Sequence, residues 1–98
     1  MPHREITVIC QGVPRKYRVE LVRSSFLIGA HFFDLESNSV QPAAFTSATA
    51  EQETFAAYSG MTDDDLAETC TRVFSSPDFV EQVFRNEVPI ISLGHRLP

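Results

Sequence analysis

The chain has no tryptophan, only four glycines and only two cysteines among its 98 residues. Each shortage excludes something. Four glycines leave no G-x-x-x-x-G-K-[ST] or G-x-G-x-x-G loop to cradle a phosphate. Cys10 and Cys70 stand sixty positions apart and form neither a paired C-x-x-C metal motif nor a disulfide framework. They read as free thiols, and Cys70 falls on an apolar stripe that places it in the core. H-E-x-x-H and G-x-S-x-G are missing as well, and with them the sequence reasons for proposing zinc-protease or α/β-hydrolase chemistry. Long apolar runs are also absent. A membrane helix needs roughly 20 apolar residues. The most apolar stretch, Phe26 to Phe33, is interrupted by Gly29 and His31. The opening "MPHREITVIC" has charge but no apolar centre, so it does not read as a secretory leader, and a cytoplasmic protein is expected. The absences together point to a non-enzymatic protein with no cofactor and no metal.

What is present is a single domain's worth of ordinary globular sequence, 1–98. Eight phenylalanines and two tyrosines supply the bulky core material. The net charge is −5 and is unevenly spread: residues 1–33 hold five basic and two acidic groups, and residues 34–98 hold three basic and eleven acidic ones. Such a division orients partners through the protein's field.

The first third has the two-residue period of strands. In "REITVIC", Ile6, Val8 and Cys10 alternate with Glu5, Thr7 and Ile9. "QGVP" at 11–14 reads as a four-residue turn. "RKYRVELVR" then turns Tyr17, Val19 and Leu21 one way and Lys16, Arg18 and Glu20 the other, so the two segments make a hairpin. Phe26 to Leu35 reads as a third strand, buried on both faces. Residues 37–48, with Ser, Asn and Pro and no period, read as a flexible loop.

The second half changes to a helical period. Thr49 and Gln52 have capping-box spacing, and Gly60 falls where a helix would end. Thr62 then caps a second helix whose first turn is Asp63, Asp64 and Asp65, followed by the stripe Leu66, Cys70, Val73 and Phe74. Ser76 and Pro77 open a third helix carrying Phe79, Val80, Val83 and Phe84. Glu68–Arg72 and Glu81–Arg85 are spaced for ion pairs outside the stripes. "VPIISL" at 88–93 is a last strand, entering late or lying at an edge because of Pro89, and 94–98 is a tail. The order β-β-β-α-α-α-β implies an α+β domain: an antiparallel sheet of three to four strands with short helices on one face.

Three candidate sites emerge. Asp63, Asp64, Asp65, Glu68, Asp78 and Glu81 make an acidic helical face suited to a basic protein partner, as in inhibitors, immunity proteins or phage-type antagonists. Carboxylates in a first turn are also simply a good helix start, worth about 0.3–1 kcal/mol each. Three consecutive helical residues fan out by roughly 100° each, so they do not converge on a metal. Arg15, Lys16 and Arg18 make a basic ribbon that could touch phosphates, although the acidic chain argues against nucleic acid. Two further readings remain open: self-association through an edge strand (5–10 or 88–93) with Phe32, Phe33 and Phe45 at the contact, and a small ligand-binding or enzymatic domain with a pocket between sheet and helices near the 37–48 loop and His31. His3 and His95 lie near the termini and form no site with it.

Overall fold

A computed structural model of the chain describes residues 4–37, 40–85, 87 and 89–93. It has five strands and three helices: β1 (Arg4–Cys10), β2 (Val13–Arg23), β3 (Leu27–Asp34), β4 (Ala44–Thr49), α1 (Thr54–Ser59), α2 (Asp63–Phe74), α3 (Pro77–Phe84) and β5 (Ile90–Ser92). The strands form one sheet in chain order, β1-β2-β3-β4-β5. The first four run antiparallel, and β5 joins β4 in parallel after the helical crossover. The α+β class holds. The expected antiparallel sheet of three to four strands is corrected to a mixed sheet of five.

The additional strand is β4, in the second half of the segment read as a loop over 37–48. Its sequence, AFTSAT, is too small and polar to announce itself. The alternation is nevertheless complete: Ala44, Thr46 and Ala48 are buried, and Phe45 and Ser47 face the other way. Small residues here let the helical layer come close. Residues 38–39 and the expected tail at 94–98 lie outside the described residues.

The first hairpin is tighter than expected. Cys10 pairs with Val13, leaving only Gln11 and Gly12 in the turn, both at positive φ (52° and 81°). A two-residue turn of that hand matches the right-handed twist of the strands it joins. Pro14 therefore belongs to β2, opposite Ile9. It costs no ladder bond. The pair next to a hydrogen-bonded hairpin closure is a non-bonded one, and the pairing of β2 with β3 starts only at Tyr17.

The helices all come from one stretch, 54–84, and cover one face of the sheet. Under them lie Val8, Tyr17, Val19, Ile28, Phe32 and Ile91, met from above by Tyr58, Leu66, Cys70, Phe74, Val80 and Val83. Phe74 is central: its ring stacks on Phe32 with centroids 4.1 Å apart and takes Tyr17 edge-on at 5.1 Å. β3 is the middle strand, but it is not buried on both faces as expected. Ile28, Ala30 and Phe32 are buried, while Leu27, His31 and Phe33 stay half-exposed on the side without helices.

Local signals were met in altered form at α1. Gln52 does reach back to the Thr49 N–H, at 2.8 Å, but the bond closes the turn leaving β4, and the helix begins at Thr54. Gly60 ends α1 at φ −81°, without the left-handed conformation. Arg85 pairs with Glu87 at 3.3 Å instead of with Glu81, whereas Glu68 and Arg72 do meet, at 3.8 Å. Among the described residues no helix is long and apolar enough to cross a membrane.

Candidate functional site

The aspartate run sits where a helix start should. Thr62 is extended, and its Oγ1 accepts the Asp65 N–H at 3.2 Å. The cap satisfies one of the four donors a helix leaves open. Thr62→Ala is expected to cost about 1 kcal/mol, read by urea unfolding. No change would mean that the aspartates alone hold the first turn.

Two of the three aspartates are already engaged. Arg23, at the end of β2, donates from Nε to Asp63 Oδ1 at 3.0 Å, and from its terminal nitrogens to the carbonyls of Met61 (2.7 Å) and Ser59 (3.3 Å). One guanidinium thus fastens the α1–α2 turn to the sheet. Arg4 of β1 pairs with Asp64, and Arg72 with Glu68. Asp65, Asp78 and Glu81 are exposed and have no ion-pair partner among the described residues. Half of the six acidic candidates therefore spend their charge inside the fold. A shallow groove of about 530 Å³ between β1 and α2 carries Asp64 and Glu68 on its wall, together with the arginines that pair with them. Among the described residues no three potential ligands gather into a metal site.

The basic ribbon divides between the two faces of the sheet. Arg15 turns to the helix side, over the Phe84 ring at 4.4 Å and 3.9 Å from Asp34. Lys16 and Arg18 turn to the uncovered side. Arg18 is held there, with Nε 2.6 Å from Glu20 Oε2 and its guanidinium 4.7 Å from the Phe33 ring centre. Of the three cations, Lys16 alone has no ion-pair partner among the described residues.

The thiols are poor nucleophile candidates. Cys70 is fully buried, and that burial pushes its pKa up, against a smaller opposing pull from a Thr46 hydrogen bond. The neutral thiol is a small core hydrophobe. Cys10 is half-buried at the core's margin.

The feature that stands out is the bare face of the sheet. Register places Glu20, His31, Phe45 and Ile90 in one row across β2 to β5, and Val22, Gly29, Ser47 and Ser92 in the next. Phe33 and Leu27 extend the apolar strip along β3. The imidazole of His31 is flanked edge-on by Phe45 at 4.8 Å and Phe33 at 6.2 Å. At the centre is a hollow of about 120 Å³, walled by Val22, Leu27, His31, Phe45 and Ile90. Gly29 lines it with bare backbone and can carry no side chain: a Cβ there would fall inside contact distance of the Thr46 carbonyl oxygen and 2.8 Å from Ser47 Cα, so β3 and β4 pack too closely for one. At the rim, Ile90 is 76% exposed.

The pocket considered near His31 between sheet and helices is corrected: the hollow beside His31 opens on the outer face of the sheet, because His31 points away from the helices. Of the three aromatic residues considered for a contact, Phe33 and Phe45 lie on this face, while Phe32 points into the core. Gly29 and Ile90 were missed. The available signal was the odd-numbered register of β3 and β4, legible only once β4 is recognised as a strand. Comparisons with protein-family models, with curated proteins and with solved structures give no match to this chain.

Proposed function

We propose that the chain is a non-enzymatic protein-binding module whose working surface is the uncovered face of its sheet. The observation that supports this is the apolar strip over β3, β4 and β5, centred on the Gly29 hollow, on the one face the helices leave bare. A two-layer domain of this kind buries one side of its sheet and normally dresses the other in polar residues. Here the middle of that side carries Val22, Leu27, Phe33, Phe45 and Ile90. A contiguous apolar patch rimmed by polar groups is the mark of an interaction site. A hollow that admits one side chain at its centre is where an interface concentrates its binding energy.

The acidic helical face ranks second. Its attraction for a basic partner is reduced because Arg4, Arg23 and Arg72 already hold Asp64, Asp63 and Glu68. Asp65, Asp78 and Glu81 remain to steer a partner, which affects association rate more than affinity.

The test is site-specific photocross-linking in the host cell, with the reactive residue placed at position 90 and, separately, at position 64. The expected result is a discrete adduct from position 90 and none from position 64. Adducts from position 64 alone would transfer the working surface to the acidic face and overturn the proposal.

A further inference from the structure

We propose that the occupant of the bare sheet face is a second copy of this chain, docked face to face about a two-fold axis lying between the two sheets over β4. The proposal rests on the reading of that face as the binding surface and names its partner.

Three observations carry it. The first is shape. One face holds both a knob and a hole: Ile90, which is 76% exposed, stands on edge strand β5, and the Gly29 hollow lies on β3. β4 lies between these two strands. A two-fold axis over β4 lays β5 of one copy across β3 of the other. Each Ile90 then reaches the hollow of the opposite copy. The contact is isologous, so it closes at two copies and does not propagate.

The second observation is charge. The chain carries −5 overall, so most surfaces of two copies repel each other. On the bare face the four charged side chains of β1 and β2, Glu5, Lys16, Arg18 and Glu20, sum to zero. All four stand on strands outside the overlap of β3, β4 and β5, and Arg18, whose guanidinium lies over the Phe33 ring at the margin of that overlap, is already paired with Glu20. This face is therefore where two copies meet with no net like charge opposed and with only an internally paired charge at the margin.

The third is size. The overlapping strands offer nine outward positions per copy, four on β3, three on β4 and two on β5. A standard stable interface uses roughly 20–30 residues a side. The dimer is accordingly weak and dissociates on dilution, as suits a contact that another protein could replace.

Sedimentation equilibrium from roughly 10 μM to roughly 1 mM spans the dissociation range of so small a contact. The wild-type mass is expected to rise from monomer toward dimer across that range. Ile90→Glu should stay monomeric throughout, while Ile9→Glu, an exposed position on β1 outside the overlap, should match wild type. Circular dichroism confirms that both variants are folded. A second readout locates the axis. In a Cys10→Ser background, Ser47→Cys on β4 should form a disulfide dimer under mild oxidation, and Glu20→Cys should not.

A wild-type chain that is monomeric at the highest concentration overturns the proposal. So does a dimer abolished by Ile9→Glu and kept by Ile90→Glu, which would assign the contact to the β1 edge. A monomeric chain whose position-90 cross-link captures a different protein defeats the dimer but leaves the bare face as a binding surface. A position-90 cross-link that captures nothing defeats both.

Discussion

Phe74→Ala is expected to remove about 3–5 kcal/mol of stability, the range for deleting a fully buried phenylalanine side chain. For a domain of this size that is a large part of the whole, since total stabilities run about 5–15 kcal/mol. The reason lies in what Phe74 touches. It is fully buried on the last turn of α2, stacked on Phe32 at 4.1 Å and met edge-on by Tyr17 at 5.1 Å. Each such ring pair adds about 0.5–1.5 kcal/mol beyond the area it buries. These three rings connect α2 to β2 and β3, so their loss opens the centre of the core and not its margin. Urea unfolding followed by far-ultraviolet circular dichroism measures the effect. Phe74→Leu, which keeps much of the volume, should lose distinctly less. A loss below about 1 kcal/mol for Phe74→Ala would mean that the helices close over the gap and that α2 is not anchored where the structure places it.

That core was largely legible in the sequence. The stripe Leu66, Cys70, Val73 and Phe74 and the alternation Tyr17, Val19 and Leu21 each follow from one period, and local patterns of that strength survive folding. The features that escaped depend on neighbours in space. β4 carries alanine, threonine and serine, which have no pronounced periodicity. It is a strand because β3 on one side and β5 on the other use its backbone bonds. The aspartate run looked like a surface for a partner because nothing in the sequence indicates that Arg4 and Arg23, forty to sixty positions away, end beside it. Arg15 and Arg18 looked like one ribbon because the reading placed Arg15 at the turn. With the turn two residues long, strand parity sends Arg15 to the helix side and Arg18 to the bare side. The bare face itself was hidden for the same reason as β4. A strip made from β3, β4 and β5 has no counterpart in any single stretch of chain.

Gly29 joins the fold to the proposed function, and its substitution is the second large expected effect. A methyl group at this position meets the Thr46 carbonyl oxygen inside contact distance, with Thr46 C and Ser47 Cα each at 2.8 Å. All three atoms are backbone of the adjacent strand, so no rotamer change relieves the clash. β3 and β4 must separate where Gly29 pairs with Ser47. Overpacking usually costs about 1–3 kcal/mol and more when the backbone has to move, so Gly29→Ala is expected to lose about 3 kcal/mol or more. At roughly 4–8 °C per kcal/mol for a domain of this length, the melting temperature should fall by more than about 12 °C. Ser47→Ala, on the same face and in the same pair, should change it little. The glycine thus does two things at once. It lets the central strands approach to a distance that excludes a side chain, and it contributes bare backbone to the lining of the hollow that Ile90 of another copy would fill. A stable, fully folded Gly29→Ala variant would show slack between β3 and β4 that the close approach of the two strands at this pair does not allow.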